Sequence, residues 1–308
     1  MFITFYGVRG SIPSPGPATA GYGGNTSCVH VQLVDGRHFI FDAGTGIRLL
    51  GKRLSEVSDP LTVLLTHSHW DHIQGFPFFA PAFERDREIV VCQSLPREDS
   101  VHVGALQQMN GHNFPLDLTH VPSRVRYVNE PTKYFRDADL HIERKALNHP
   151  GGGFAYKLQE DGVTFAYVTD NELEPPERPA TTYDQWVEFV RGADVLIHDS
   201  QYRETDAPYR HGWGHSLISQ VRQLAYDADV RCLVLYHHDP DRSDAELEEV
   251  RLESETFFRS RKHPTVTVVA FEGLVLEALG QKSGDAVVEV RGNPPKVKAP
   301  RKSSRKSS

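Results

Sequence analysis

The sequence predicts an α/β fold built as a four-layer αββα sandwich, and three observations point there. Short apolar strand patterns come in two runs, one in each half of the chain, with helical patterns between them. Such a chain buries its apolar faces as two stacked sheets inside helical layers. Continuous apolar runs such as "LTVLL" (61–65) mark strands covered on both faces. Polar residues follow several of these strands directly, on the loops where rigid sheets present chemical groups. With 308 residues, 39% of them hydrophobic, the chain can bury one large core. We expect a single domain over 1–280, an inserted lid over 97–140 and a basic, disordered tail over 281–308.

Each element has its own signal. In "CVHVQLVDGRHFIF" (28–41), Val29, Val31 and Leu33 alternate with His30 and Gln32, and Asp35-Gly36 turns a hairpin. "REIVVCQ" (87–93) is a second buried strand. Residues 97–140, with "NGHNFP" at the centre, read as a flap. "FAYKLQEDGVTFAYVTD" (154–170) gives two strands around Glu160-Asp161-Gly162, and "DVLIHDS" (194–200) gives another. "SLISQVRQLAYDADV" (216–230) has helical spacing at Leu217, Val221, Leu224 and Ala225, with Ser216 as its expected cap. "RCLVLYHHD" (231–239) is a strand and "SDAELEEVRLESETFFRSRK" (243–262) a helix.

Charge and cysteine content narrow the function classes. The formal net charge is −7, yet residues 291–308 hold seven Lys or Arg and no acid, leaving −14 on the body once those seven are subtracted. That body is a poor surface for long polyanions, which are held by many Lys and Arg contacts. The tail, rich in Pro, Ser and Lys, has the composition of a solvated segment. Three widely spaced cysteines, Cys28, Cys92 and Cys232, do not make a disulfide framework and fit a reducing cytoplasm. No apolar run approaches a membrane span, and the first residues lack a signal-peptide layout.

The chemistry concentrates in "THSHWDH" (66–72), three histidines and an aspartate behind a buried strand. Imidazole and carboxylate are ligands for zinc, iron and manganese. In a compact loop His67 and His69 converge on one ion while Asp71 and His72 turn to a second. Buried without a cation, these groups would lack partners. One segment cannot fill two coordination spheres. His149, Asp170 and His237 also follow strands and are candidates to complete them; Asp170 has two oxygens with which to bridge. His238 competes with His237.

"THSHWDH" matches the HxHxDH signature of the metallo-β-lactamase superfamily, and the chain resembles that family over roughly residues 1–277. The resemblance implies an αββα fold with a dinuclear site on one edge. It implies that His149, Asp170 and His237 are the later ligands, that Asp42 in "FDAGTG" orders the metal loop, and that His237 is favoured over His238. The lactamases proper place a cysteine where Asp170 stands. "HDSQYRETDAPYRHGWGHSLISQ" and "FYGVRGSIPSPGP…YGGNTSC" are similar to the tRNA 3′-processing endonuclease branch and its cyclic-nucleotide-phosphodiesterase-like bacterial members. There a His-Ser pair opens the helix before the last ligand strand, and His215 stands at that place.

The implied reaction is phosphodiester hydrolysis by a hydroxide that two divalent ions activate, zinc being expected and Mn2+ or Fe2+ being alternatives. His215, near a helix start, is the candidate general acid. Asp71 is a candidate both as ligand and as the group orienting the nucleophile. Asp199 and Asn25 are candidate supports, Asn25 as a loop holder, and Arg9 has structural duty or meets a phosphate. The aromatics of "GFPFFAPAF" (75–83) pack beneath the metal loop or stack on a base. Without a long basic arm, the acidic body favours a small nucleotide, such as a 3′,5′-cyclic nucleotide, over long RNA. A cytoplasmic homodimer is expected by analogy. An RNA-processing endoribonuclease and a non-catalytic nucleotide sensor are the alternatives.

Overall fold

A computed structural model describes residues 1–93, 108–116, 120–135, 140–280 and 286–292. The first sheet has eight strands: β1 (Phe2–Gly7), β2 (Cys28–Gln32), β3 (His38–Phe41), β4 (Leu61–Leu65), β5 (Glu88–Gln93), β6 (Arg124–Val128), β13 (Val275–Gly280) and β14 (Ala286–Arg291), in the order β14-β13-β1-β2-β3-β4-β5-β6. The second has six: β7 (His141–Ala146), β8 (Phe154–Glu160), β9 (Val163–Val168), β10 (Val195–Asp199), β11 (Cys232–Tyr236) and β12 (Val266–Val269), in the order β12-β11-β10-β9-β8-β7. β3 to β6 run parallel, as do β9 to β12, so the carboxyl ends of several strands gather on one edge.

Side-chain alternation explains the layers. Leu61, Val63 and Leu65 of β4 join an outer apolar cluster with Ile47, Leu50 and Leu54 of helix α1 (Ile47–Leu54), while Leu64 points into the space between the sheets. Phe39 and Phe41 likewise face inward and Ile40 outward. Phe41 meets Tyr156, Phe165 and Tyr167 across the sheets with ring centroids 5.1–6.2 Å apart. Helices 183–190, 218–227 and 244–260 add Trp186, Val221 and Val250 to that core. The αββα sandwich is therefore present.

Cys28, Cys92 and Cys232 are buried, unpaired thiols; burial pushes Cys92 and Cys232 up to about 12. Among the described residues no helix is long and apolar enough to cross a membrane.

Three expectations change. β14 lies inside the segment assigned to the tail. It pairs antiparallel with all of β13, and Ala286 is buried, so the fold runs to Arg291. Residues 293–308 of that segment lie outside the described residues. β6 lies inside the expected insertion 97–140 but is a strand of the first sheet, parallel to β5. Its Arg, Tyr and exposed positions hide the periodicity of an edge strand. The remaining described part of the insertion carries an Asx turn in which Asn110 accepts the N–H groups of His112 and Asn113. Phe114 there packs edge-on against Phe78, 5.6 Å between centroids. Residues 97–107 of the proposed lid lie outside the described residues. Finally, Ser216 does not cap the helix 218–227. Leu217 is its N-cap, with its N–H accepted by Gln220 Oε1 at 3.1 Å, and Ser216 Oγ instead donates to Asn171 O at 2.6 Å.

Ending the chain at Gly280 should therefore lower the unfolding free energy by about 2 kcal/mol, the scale of apolar burial lost with β14. Urea denaturation of the shortened and full chains checks this; equal midpoints would show that β14 adds nothing.

Candidate metal centre

Six loops that leave the carboxyl ends of β3, β4, β7, β9, β10 and β11 deliver Asp42, His67 to His72, His149, Asp170, Asp199 and His237 to one edge. The backbone bends sharply there. Asp42, Asp170 and His237 adopt left-handed conformations with φ of 60°, 52° and 59°, a costly choice for residues other than glycine that functional sites often contain.

Two four-residue groups have their donor atoms within 4.8 Å of one another, His67, His69, His149 and Asp170, and Asp71, His72, Asp170 and His237; Asp199, His215 and His237 form a smaller third. Asp170 belongs to both four-residue groups. Its Oδ2 lies 3.6 Å from His67 Nε2 and 3.7 Å from His149 Nε2, and its Oδ1 lies 3.1 Å from the Nε2 atoms of His72 and His237. Within "HSHWDH" the loop places His67 and His69 in the first group and Asp71 and His72 in the second. His238 turns away, its Nε2 donating to Ala270 O at 2.8 Å.

The rings are presented for ligation. His72 Nδ1 donates to Asp42 Oδ2 (2.8 Å), His149 Nδ1 to Gly214 O (3.0 Å), and His237 Nδ1 to Gln201 Oε1 (2.9 Å). His67 Nδ1 lies 3.1 Å from Thr66 Oγ1. Each of these contacts engages Nδ1 and so turns Nε2 towards the site. His72 Nε2 and His237 Nε2 then face each other at 3.3 Å, with Asp71 Oδ2 3.2 and 3.1 Å away. His67 Nε2 is buried with no hydrogen-bond partner. This orphaned ring nitrogen, set among imidazole and carboxylate donor atoms, fits a cation.

The electrostatics differ between the rings. Burial disfavours a charged His72, but Asp170, Asp71 and Asp42 outweigh it and hold its pKa well above the ordinary value. Burial pushes His67 well below its usual value and His149 down to about 4, despite Asp170, so both are neutral, ligand-ready imidazoles. Burial would raise Asp170, but His237, His72 and His67 hold it well below the carboxylate range.

The supporting residues lie close by. Asp42 Oδ1 accepts from Thr66 N at 2.8 Å, and Asp42 Oδ2 accepts from the Tyr167 hydroxyl at 3.0 Å. Asp199 Oδ2 accepts from His215 Nδ1 at 2.8 Å. Burial works against a charged His215, but Asp199, and beyond it Asp170 and Asp71, push it up to about 9. His215 stacks on His237, 5.2 Å between centroids at 20°, and sits 5.3 Å from His149. Asn25 lies outside the cluster and holds a loop, donating from Nδ2 and N to the Glu272 carboxylate at 2.9 and 2.7 Å. Arg9 has structural duty. It is fully buried and donates to the carbonyls of Gly23, Asp239 and Arg242. Phe76 and Phe79 are buried, whereas Phe78 is exposed.

Sequence reasoning missed Gln201, Gly214, Glu172 and Ser11. Ser11, at φ 63°, donates its N–H to Asp71 Oδ2 at 2.7 Å. Gly10 beside it has no room for a side chain, since a Cβ would stand 2.4 Å from His237 Nδ1. Gln201 had one signal, its place two residues after Asp199 in "HDSQY".

Donors of this kind, on the strand-end edge of a two-sheet sandwich, define a metal-dependent hydrolase. Residues 37–238 match the family described as the beta-lactamase superfamily domain, and the chain belongs to that superfamily. It is similar to Ribonuclease Z of Thermoplasma acidophilum, 25% identical over 301 residues covering 84% of this chain and 94% of the relative. It is also similar to Ribonuclease Z of Nocardia farcinica, 26% identical over 254 residues, 67% and 82% of the two chains. Two solved structures share the fold. The metallo-beta-lactamase fold protein YhfI from Bacillus subtilis has a TM-score of 0.61 at 19% identity, covering 89% of this chain and 98% of its own. A diphosphatase of the PhnP family has a TM-score of 0.60 at 18% identity, covering 90% and 97%.

Asp42→Asn keeps a residue that tolerates the left-handed backbone but removes the carboxylate that His72 Nδ1 donates to. It should weaken binding of Zn2+ by about 10–100-fold, as loss of such partners does elsewhere. Competition with a chromogenic chelator measures the change; unaltered affinity would show that Asp42 does not orient His72.

Proposed function

We propose that the chain is a metal-dependent phosphodiesterase that hydrolyses a small nucleotide phosphodiester such as a 3′,5′-cyclic nucleotide. The Asp199–His215 pair beside the two donor groups carries this reading. An acid so placed serves a reaction that expels a poor, alkoxide-like leaving group. His67, His69, His149 and Asp170 would hold one ion, and Asp71, His72, Asp170 and His237 the other; the nitrogen and oxygen donors suit zinc, manganese or iron. Such ions, when bound, lower the pKa of a water towards 7 and neutralise phosphate oxygens.

The protein's own part is orientation and proton movement. Asp199 fixes His215 through Nδ1, so the proton for the leaving oxygen is on Nε2. Asp71 is held by Ser11 N–H through Oδ2, which turns the carboxylate into the cleft. The cleft, about 450 Å³ and lined by Ser11, His69, Trp70, Asp71, Asp170 and His215, matches a compact substrate. The acidic body supports the same choice. One observation favours a second reading, RNA processing. The relatives named Ribonuclease Z align over 94% and 82% of their own lengths.

His215→Ala should lower turnover by about 10²–10⁴ while metal content stays constant; retained turnover would remove His215 from the mechanism. Metal-loaded protein should split cyclic mononucleotides in a panel with cyclic dinucleotides, linear dinucleotides and precursor tRNA, with products identified by mass spectrometry. Cleavage confined to precursor tRNA would establish the second reading instead.

A further inference from the structure

His215 borders two cavities. It lines the metal cleft and also a cavity of about 420 Å³ whose lining includes Tyr202, Arg210, His211, Glu174 and Gln220. We propose that this second cavity is the leaving-group subsite of the phosphodiesterase proposed above, and that it takes the uncharged nucleoside side of the substrate.

Water oxygen bonds to phosphorus, the phosphorus–oxygen ester bond breaks, and its electron pair goes to the leaving oxygen. That oxygen takes the proton from His215 Nε2, and the proton lost by the water restores the ring. The leaving oxygen must therefore sit within hydrogen-bond reach of His215, so the group attached to it extends past His215 and away from the donor cluster. The second cavity borders the same ring and is the space that would receive it. In a cyclic mononucleotide both ester oxygens belong to one nucleoside, so a phosphate on the donor cluster places the whole nucleoside there. The volume falls within the range of small-ligand sites.

The lining selects by charge. Glu172 is spent on structure, its oxygens accepting from Gly212 N at 2.9 Å and Gly214 N at 3.0 Å. Arg210 lies over the Tyr202 ring, 5.1 Å from its centroid, and its Nη1 donates to Asp239 Oδ2 at 2.5 Å, so its charge is matched. Glu174 is exposed and adds negative charge. A second phosphate on the leaving group meets repulsion here. A neutral nucleoside finds the apolar Pro208 and Leu217 side chains together with the Gln220 amide, over a Tyr202 ring that is itself buried against Arg210 and His215.

The test compares substrates within one variant. Ala207 also lines the cavity, on a short surface helix (207–210), and Ala207→Trp fills it. With metal-loaded full-length protein, kcat/KM is measured for a cyclic mononucleotide and for bis(p-nitrophenyl) phosphate, whose phenolate leaves without protonation. The ratio of the two should fall at least tenfold, through KM for the nucleotide. Glu174→Lys, which leaves the cavity open, should shift selectivity at least tenfold towards diesters whose leaving nucleoside carries a further phosphate. Ratios unchanged in both variants, with wild-type turnover intact, would overturn the subsite and leave the phosphodiesterase reading standing. Wild-type protein that splits neither ester would overturn that reading, and the subsite with it.

Discussion

The carboxylate of Asp42 is the joint on which the edge of the molecule depends. It leaves β3 of the first sheet, is fully buried, and accepts from Thr66 of the metal loop, from His72 and from Tyr167 of the second sheet. One group thus fixes the start of the loop, the tautomer of a donor and the spacing of the two sheets at this end. A buried carboxylate is tolerable only with partners of this number and quality. Its left-handed backbone is part of the same arrangement, since it turns the chain directly from strand into site.

The parallel strands explain why so few residues suffice. Each carboxyl end delivers one or two polar side chains, and the sandwich brings ends from both sheets together. Asp170 from the second sheet can then face both donor groups, and His215 can stack on His237 while taking its orientation from Asp199. Distances of about 3 Å between residues more than 100 positions apart are set by the sheets, which pack at near-crystalline density.

Much of this was legible in the residue pattern. "LTVLL" and "THSHWDH" are local signals, a buried strand and a cluster of ligand-type residues, and the predicted sandwich is the observed fold. What stayed hidden has no local signature. Glu172 clamps Gly212 and Gly214, and Gly214 in turn accepts from His149, contacts whose partners are 40 and 65 positions apart. β6 is an edge strand rich in charged and exposed residues, so its alternation is blurred. β14 sits in a stretch whose composition is dominated by the basic residues after it, yet its backbone pairs with all of β13. The cap expected at Ser216 failed because that hydroxyl is drawn to Asn171, a tertiary partner overriding a local preference.

The placement of sulfur has a consequence for how the protein meets oxidants. Thiolates are the readily oxidised form of cysteine, and all three cysteines here are buried and held in the thiol form. Both donor groups are built from imidazole and carboxylate alone. Peroxide therefore finds no thiolate among these donors to convert to a sulfenic acid.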